Sequence, residues 1–339
     1  MVGPPPESWA VKPAGARTFE IAPGLWSFRL PLPWHHITHV NAYAIECDDG
    51  IVLVDCGSAG DVSHRWALET ALGHAGFVVE DVRLLVATHT HSDHVGLAAW
   101  VIKRSGASFW MHPDTAHFYD GTREPERTAA AREQRARQEG VPEHLLALYR
   151  DVSEETDGVL EPVRPDHSLI DGTKIQSRLG AWDVVETPGH CPTHVCLVQK
   201  DHRMMIIGDL VASAFSPWFD YGYSADPVAE YLDSLEAIER LQEPELALPG
   251  HGRPITDLSA AIALHRRGVA ERLQQTLAAI AVGPAGGYEL TQRVFGDLDQ
   301  QAAVWRMTEL VAYLKHLRLA GAVIRDEGPD GTFAYRLAE

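Results

Sequence analysis

Apolar and polar positions alternate in short runs along residues 25–250, and these runs predict a succession of β-strands. Alternation with a period of two predicts strands at 25–30 and 40–45, and a continuous apolar run predicts a buried strand at 51–54. Further strands are predicted at 84–87, 108–111, 182–186, 196–198, 204–207 and 246–248. Helical patterns between them, at 63–75, 98–105 and 227–241, complete an order that is typical of layered α/β folds.

Changes in this pattern predict the domain boundaries. The Pro-rich segment 1–18 predicts a flexible N-terminal arm, and residues 19–257 carry the alternating strands and helices. Within that domain, residues 114–160 are charged and helix-forming, which predicts a helical insert of about that length over the face where the site lies. Residues 258–339 show long helical patterns followed by a hairpin, which predicts a small C-terminal winged-helix-like domain.

The composition is that of a globular but strongly acidic chain. Of its 339 residues 45% are hydrophobic and 22% charged, and the formal net charge is −18. Such a surface disfavours nucleic acid and anionic membranes as partners. The N-terminal segment lacks the order of a signal peptide, and no apolar run approaches the roughly 20 residues of a membrane span. With four cysteines outside any disulfide or CxxC pattern, these features predict a cytoplasmic protein with no membrane partner.

A dense group of metal-ligating side chains follows the predicted strand at 84–87. Three histidines and an aspartate fall within six residues, a density that metal ligation requires and a hydrophobic core does not. This group consists of His89, His91, Asp93 and His94. Four other predicted strands also end at ligand-type residues, which are Asp55, His190, Asp209 and His251. Because strand ends on one edge of a sheet converge, we expect these side chains to meet at one site.

The spacing of this group divides its ligands between two metal ions. His89 and His91 can face one side of an extended turn, whereas Asp93 and His94 fall on the following helical turn and face a neighbouring point. The strand ends can supply the rest, with His190 at the first metal, His251 at the second and Asp209 as a bridge. We therefore predict two Zn²⁺ per chain, with iron or manganese as alternatives, sharing a hydroxide of lowered pKa.

These residues, in this order, resemble the five motifs of the metallo-β-lactamase superfamily. The matches are Asp55 with Gly57, residues 89–94, Gly189 with His190, Gly208 with Asp209, and residues 250–252. The resemblance implies a four-layer αβ/βα sandwich with the dinuclear site at one edge. The ligand sets that it implies are His89, His91 and His190 on one metal, Asp93, His94 and His251 on the other, and Asp209 shared.

The resemblance also implies a supporting role for Asp55, which would orient the ligands rather than bind metal. β-Lactamases of this superfamily often have cysteine at the fourth motif, where this chain has Asp209. Cleavage of β-lactams is therefore not expected to be the main activity.

Two stretches near these motifs predict substrate contacts. An aromatic segment soon after Asp209 contains Trp218, Tyr221 and Tyr223, which could line an acyl pocket and donate to an oxyanion. His35 and His36 precede the strand at 40–45 and could reach the same face. The expected partner is a small-molecule substrate, with a homodimer as a further expectation from the resemblance.

The leading functional hypothesis is a dinuclear zinc hydrolase that cleaves a small-molecule ester, thioester or lactone through a metal-bridging hydroxide. Asp93 is the predicted catalytic residue, delivering a proton unless a metal-bound water does so. A metal-dependent endoribonuclease is the alternative, because the C-terminal segment resembles a branch of the superfamily that includes such enzymes. That segment nevertheless has 9 Lys or Arg and 9 Asp or Glu, so its charge does not favour RNA. A mononuclear iron persulfide dioxygenase is a further alternative, which metal analysis distinguishes.

Overall fold

The computed structural model describes residues 15–34, 37–150, 158–159, 161–215, 217–220, 222–296, 298 and 300–339. Its strands form a seven-stranded sheet, a five-stranded sheet and a separate hairpin. Among the described helices, none combines the length and apolar character that a membrane crossing requires.

The first sheet runs in sequence order from β1 to β7. Strands β1 to β4 pair antiparallel, and β4 to β7 pair parallel. The strands are β1 Arg17–Ala22, β2 Leu25–Pro31, β3 His39–Cys47, β4 Gly50–Val54, β5 Val82–Val86, β6 Ser108–Met111 and β7 His167–Ser168. The parallel half requires crossover connections, which helices supply on the outer face.

The second sheet has the order β12-β11-β10-β9-β8, with one parallel pair between β11 and β12. Its strands are β8 Lys174–Ser177, β9 Gly180–Glu186, β10 Val195–Gln199, β11 Met204–Gly208 and β12 Leu246–Pro249. Strands β10 and β11 are buried along their whole length, as expected for the centre of a sheet that is covered on both faces.

Three hydrophobic clusters show how the layers stack. The two sheets face each other across one cluster, in which Trp182 of the second sheet meets Tyr43 and Val54 of the first. The outer face of the first sheet packs against α1 Val62–His74 and α3 Ala98–Ser105. The outer face of the second sheet is covered by helices from the later part of the chain. The result is a helix–sheet–sheet–helix sandwich, the predicted four-layer α/β arrangement.

The remaining helices are short near the site and long towards the C-terminus. They are α2 Ser92–Val95, α4 Ala116–Arg123, α5 Pro125–Gln138, α6 Leu146–Tyr149, α7 Pro227–Glu239, α8 Leu258–Ala281, α9 Gly287–Phe295 and α10 Gln300–Leu319. A hairpin of β13 Val323–Glu327 and β14 Phe333–Leu337 follows α10. The predicted insert contains α4 to α6.

Packing continues across the predicted boundary between residues 257 and 258. Ile262 and Val269 of α8 and Tyr313 of α10 lie in the same cluster as Leu235 of α7 and the second sheet. The outer helical layer of the sandwich is therefore built from both sides of the boundary. The C-terminal parts of α8 and α10 form a separate cluster with α9 and the hairpin.

Some elements differ from the sequence-based expectations. Strand β1 begins at Arg17, inside the predicted arm, because its backbone pairs with β2. Strand β8 was not predicted, since only Ile175 of its four residues is buried and an edge strand leaves a weak pattern. Residues 300–320, long enough for two helices, form the single helix α10.

Candidate metal centre

The ends of five strands bring the predicted ligands to one edge of the sandwich. Asp55 follows β4, His89 follows β5, His190 follows β9, Asp209 follows β11 and His251 follows β12. Helix α2 begins directly after this edge, so that Asp93 and His94 are buried in its single turn. The seven predicted ligands form a first group of His89, His91 and His190 and a second group of Asp93, His94 and His251, and a third group of His89, His94 and Asp209 overlaps both.

In the first group, three imidazole nitrogens point at one another. His89 Nε2 lies 3.1 Å and His190 Nε2 lies 2.9 Å from His91 Nδ1. The opposite nitrogen of each ring has an acceptor that fixes its proton. His190 Nδ1 donates to the carbonyl of Trp218 at 3.0 Å, and His91 Nε2 donates to the Asp220 carboxylate at 3.1 Å.

The proton of His89 is fixed in the same manner. The Thr88 hydroxyl donates to Asp55 Oδ2 at 2.8 Å, so it accepts from His89 Nδ1 at 3.0 Å. Each of the three histidines consequently turns a lone pair, not a proton, towards the shared point. Three converging lone pairs repel unless a cation or a proton lies between them, and this is the donor set of a metal site.

The second group is built in the same way around His251. Its Nδ1 donates to the carbonyl of His39 at 2.7 Å, and its Nε2 lies 3.1 Å from Asp93 Oδ2. His94 donates from Nδ1 to Asp55 Oδ2 at 2.8 Å, and its Nε2 has no hydrogen-bond partner among the described residues although the ring is completely buried. An unpartnered buried nitrogen costs free energy, and a metal ion at this point would satisfy it.

Asp209 lies between the two groups. Its Oδ2 is 3.3 Å from His251 Nε2, 3.6 Å from His94 Nε2 and 3.7 Å from His190 Nε2. Its Oδ1 is buried and unpartnered within the described part of the chain. A carboxylate that approaches nitrogens of both groups can bridge two cations.

Buried hydrogen bonds hold the backbone at this edge. The N–H of Asp209 donates to His194 Nε2 at 3.0 Å, and His194 Nδ1 therefore donates to Thr187 Oγ1 at 2.8 Å. His194 thus has both nitrogens engaged and positions Asp209 instead of binding metal. A Cβ on Gly250 would lie 2.1 Å from Asp209 Oδ1, so glycine is required for the approach of the β12 loop.

Burial and charge set the protonation of these groups. Burial, reinforced by neighbouring histidines, lowers the pKa of His89 well below its usual value and that of His190 to about 4. Both rings are therefore neutral at pH 7, as metal ligation requires. Burial opposes a charge on His251, but the carboxylates of Asp209 and Asp93 outweigh it and raise its pKa to about 10.

A fourth group of His91, Cys191 and Asp220 lies beside the first. Burial and the nearby Asp220 raise the pKa of Cys191, which keeps it as a thiol that contacts the Thr193 hydroxyl at 3.3 Å. Asp220 already accepts from His91, so this group supports the histidine and does not form a separate site.

The predicted substrate residues have different outcomes. Trp218 is at the site, where its carbonyl accepts from His190 and its indole donates to Asp220 at 2.9 Å. Tyr223 is 43% exposed and stacks on His117 of α4 with ring centroids 4.8 Å apart. Its partner His117 contacts the Thr90 hydroxyl at 3.1 Å, so the insert does reach the site. His35, His36 and Tyr221 lie outside the described residues.

Sequence reasoning missed two residues that hold the ligands. Asp220, in the aromatic segment after Asp209, fixes the proton of His91, and the main chain of His39 fixes that of His251. The position of Asp220, a single carboxylate in an aromatic segment, was a sequence signal that could have identified it. A backbone carbonyl leaves no signal, because any residue type provides one.

Comparisons with known proteins identify the family to which this fold belongs. A sequence model described as the metallo-beta-lactamase superfamily matches residues 37–251. The chain is 25% identical over 319 residues to the probable metallo-hydrolase YqjP of Bacillus subtilis (strain 168), covering 88% of this chain and 93% of that protein. It is 28% identical to the atrochrysone carboxyl ACP thioesterase nsrC of Aspergillus novofumigatus, covering 76% of this chain and 66% of that protein. A crystal structure of a metallo-beta-lactamase family protein from Thermus thermophilus superposes with a TM-score of 0.79 and 28% identity, covering 94% of this chain and all of that one.

Proposed function

The chain belongs to the metallo-β-lactamase superfamily and is a metal-dependent hydrolase, and from this premise we propose that it cleaves a small acyl compound at a dinuclear zinc centre. An ester, a thioester or a lactone would fit such a centre, and a thioester has the best support because a relative is named as a thioesterase. The observation that carries the proposal is the pair of ligand groups with the Asp209 carboxylate between them.

The donor atoms suit zinc in both number and type. The first group, His89, His91 and His190, would hold one cation. The second group, Asp93, His94 and His251, would hold the other. Imidazole nitrogen and carboxylate oxygen are ordinary zinc ligands. The buried atoms of His94 and Asp209 that have no partner among the described residues would gain one. When bound, the two cations supply a water of lowered pKa and polarise the acyl carbonyl.

The chain's own groups then have separate tasks. Asp220 and Asp55 keep the protons of His91 and His94 on the outer nitrogens, so that the inner ones stay free for ligation. We assign Asp93 to proton transfer, because its Oδ2 lies at the centre beside His251 Nε2. It would take a proton from the attacking water and return it to the departing thiolate or alkoxide.

The C-terminal segment is proposed to be a winged-helix-like module that shapes the entrance. It has three helices followed by a hairpin, and Ala285 forms a bridge to Tyr335 of β14. Trp305 of α10 packs against Trp218 with ring centroids 5.9 Å apart, which joins the module to the site. Its balanced charge supports a role in shaping the site over one in binding nucleic acid.

Metal analysis combined with a substrate panel tests this proposal. We expect two zinc ions per chain, and turnover of acyl thioesters that chelation abolishes and added Zn²⁺ restores. RNA cleavage that disappears in His89→Ala would instead support the endoribonuclease, and a single iron with persulfide oxidation would support the dioxygenase. Turnover that survives complete metal removal would contradict all three.

A further inference from the structure

Three arginines gather at the edge of the sandwich that carries the metal ligands. Arg17 of β1 lies directly opposite Arg29 of β2 in the antiparallel register, so their side chains share one face of the sheet. Arg253 follows His251 by two residues. Like charges placed opposite each other destabilise a sheet, so this arrangement is not explained by the stability of the fold. We refer to Arg17, Arg29 and Arg253 as the arginine patch.

The patch is joined to the metal centre through His39. A guanidinium nitrogen of Arg29 lies 2.9 Å from His39 Nδ1. The main chain of His39 accepts from His251 Nδ1, and the N–H of Gly252, the residue before Arg253, lies 3.2 Å from His39 Nε2. The patch therefore lies at the same edge of the sandwich as the second ligand group, with His39 between them.

The patch differs from several other arginines of the chain in its charge environment. In the described part of the chain, no carboxylate lies within ion-pair distance of its three members, whereas exposed arginines elsewhere, such as Arg83, Arg104 and Arg178, do have such partners. This holds in a chain with 47 acidic and 29 basic residues, where carboxylates are plentiful. Partial burial, and then the charges of Arg17 and Arg253, lower the pKa of Arg29, so the other two arginines of the patch oppose its charge. An anion from outside the chain would relieve this repulsion.

We propose that the arginine patch binds the phosphate groups of a coenzyme A thioester whose acyl carbon is cleaved at the metal centre. This inference rests on the proposed thioesterase activity. Guanidinium groups pair with phosphate through two parallel hydrogen bonds, which makes arginine suited to this task. Coenzyme A carries several phosphates at the far end of a flexible pantetheine arm, whereas a carrier-bound pantetheine has a single one. A patch of three arginines therefore fits coenzyme A better.

Kinetics with matched substrates test the patch. The ratio of kcat/KM for an acyl-coenzyme A to kcat/KM for the same acyl group on phosphate-free pantetheine is measured in the wild type and in Arg17→Gln and Arg253→Gln. We expect a ratio well above one that falls about tenfold in each variant, the size of a lost charge-assisted hydrogen bond. Arg267→Gln, which removes an exposed arginine on α8, is the control and should keep the wild-type ratio.

A wild-type ratio near one, or ratios that Arg17→Gln and Arg253→Gln do not change, would overturn the proposal. A ratio that falls equally in Arg267→Gln would also overturn it, because the effect would then be one of net charge. If the two variants lost kcat/KM only for glutathione thioesters, the patch would bind carboxylates instead of phosphates. If the arginine variants lost kcat/KM only for an acyl group on the acyl-carrier protein, that protein would be the partner of the patch instead of coenzyme A.

Binding of adenosine 3′,5′-bisphosphate, the phosphate-bearing end of coenzyme A, separates this inference from the proposed function. We expect calorimetry to show binding that weakens about tenfold in Arg253→Gln and that, in the wild type, is tighter at low salt than at high salt. Binding of this kind without thioester turnover would retain the patch and reject the thioesterase. Thioester turnover without any binding of the bisphosphate would reject the patch and retain the thioesterase.

Discussion

Asp55 shows how much one buried carboxylate can determine at the scale of a single residue. It is 1% exposed and adopts a left-handed backbone with φ of 59°. Its Oδ1 accepts from the Thr88 N–H, and its Oδ2 accepts from the Thr88 hydroxyl and His94 Nδ1, each at 2.8 Å. Through these bonds it sets the tautomers of one histidine in each ligand group.

Asp55→Asn is predicted to weaken metal binding without unfolding the chain. Asparagine tolerates the left-handed backbone, but its amide would present a donor where Oδ2 now accepts. His94 would then have to accept at Nδ1 and turn its proton towards the metal. We expect affinity for zinc to fall about 10- to 100-fold in a chelator-competition titration.

The exposed Asp233→Asn on α7 serves as the control and should bind zinc like the wild type. Unaltered zinc affinity in Asp55→Asn would show that Asp55 does not set the tautomer of His94. A collapse of the circular dichroism spectrum would show that its role is structural.

At the scale of elements, the loop after β12 must approach the loop after β11 more closely than a side chain allows. A Cβ on Gly250 would meet Asp209 Oδ1 at 2.1 Å and His94 Cε1 at 2.7 Å. Gly250 does not have a positive φ, so alanine would create no backbone strain of its own. The added methyl group would therefore displace Asp209, the carboxylate that lies between the two ligand groups.

Gly250→Ala is therefore predicted to reduce the zinc content below two ions per chain and to abolish turnover, while the secondary structure persists. Elemental analysis after gel filtration gives the stoichiometry. The matched change Gly73→Ala, in α1 with open space around the new methyl group, should bind two ions and be slightly more stable. Full zinc content in Gly250→Ala would mean that the loop can shift to accommodate the methyl group.

A buried carboxyl group joins the insert to the C-terminal elements. Glu139, at the end of α5, is 4% exposed and accepts from the Tyr335 hydroxyl of β14 at 2.9 Å. Its Oε2 has no partner among the described residues. Burial is the main cause that raises the pKa of Glu139 from 4.5 to about 7. Because the folded chain keeps this proton to higher pH, protonation stabilises it fully below pH 4.5, and the contribution is lost as pH rises through about 7.

Glu139→Gln is predicted to remove this pH dependence. Glutamine stays neutral at every pH, so the variant should gain stability relative to the wild type between pH 5 and pH 8, by an amount on the order of 3 kcal/mol. Urea unfolding at the two pH values measures the difference. The control Glu271→Gln, on the exposed side of α8, should show the same change in unfolding free energy between the two pH values as the wild type. If Glu139→Gln also showed the wild-type change, Glu139 would be ionised at both pH values.

At the scale of the whole molecule, the C-terminal helices complete the core of the sandwich. Tyr313 of α10 is fully buried against Phe219, with ring centroids 5.7 Å apart, and lies in one cluster with Val269 and Leu235. A fourth layer that is shared in this way couples the predicted domains. We therefore expect residues 19–257 and 258–339 to unfold together.

Calorimetry should accordingly show one transition whose calorimetric and van't Hoff enthalpies agree. Tyr313→Ala should lower the stability of that single transition by about 3–5 kcal/mol, because it leaves a cavity between the layers. Val282→Ala, at a position that is 77% exposed, should leave it unchanged. Two transitions, of which only the first responds to Tyr313→Ala, would show that the two parts fold independently.

The sequence by itself determined most of the strands, the layered α/β class and the identity of the candidate ligands. These follow from local periodicity, and from residue types that few environments other than a metal site bring together so densely. Local sequence also separates the ligands of the two groups, because His89 and His91 lie in a turn whereas Asp93 and His94 lie in the short helix that follows it.

The tertiary structure alone decided which groups hold those ligands and where the layers close. Asp220 is 129 residues from His91, and His39 is 212 residues from His251. Helix α10 covers the second sheet although it follows the last strand of that sheet by about 50 residues. Hydrophobic periodicity indicates only which face of each element is buried. It does not indicate which distant segment packs against or bonds to that face, because this depends on the folded path of the chain.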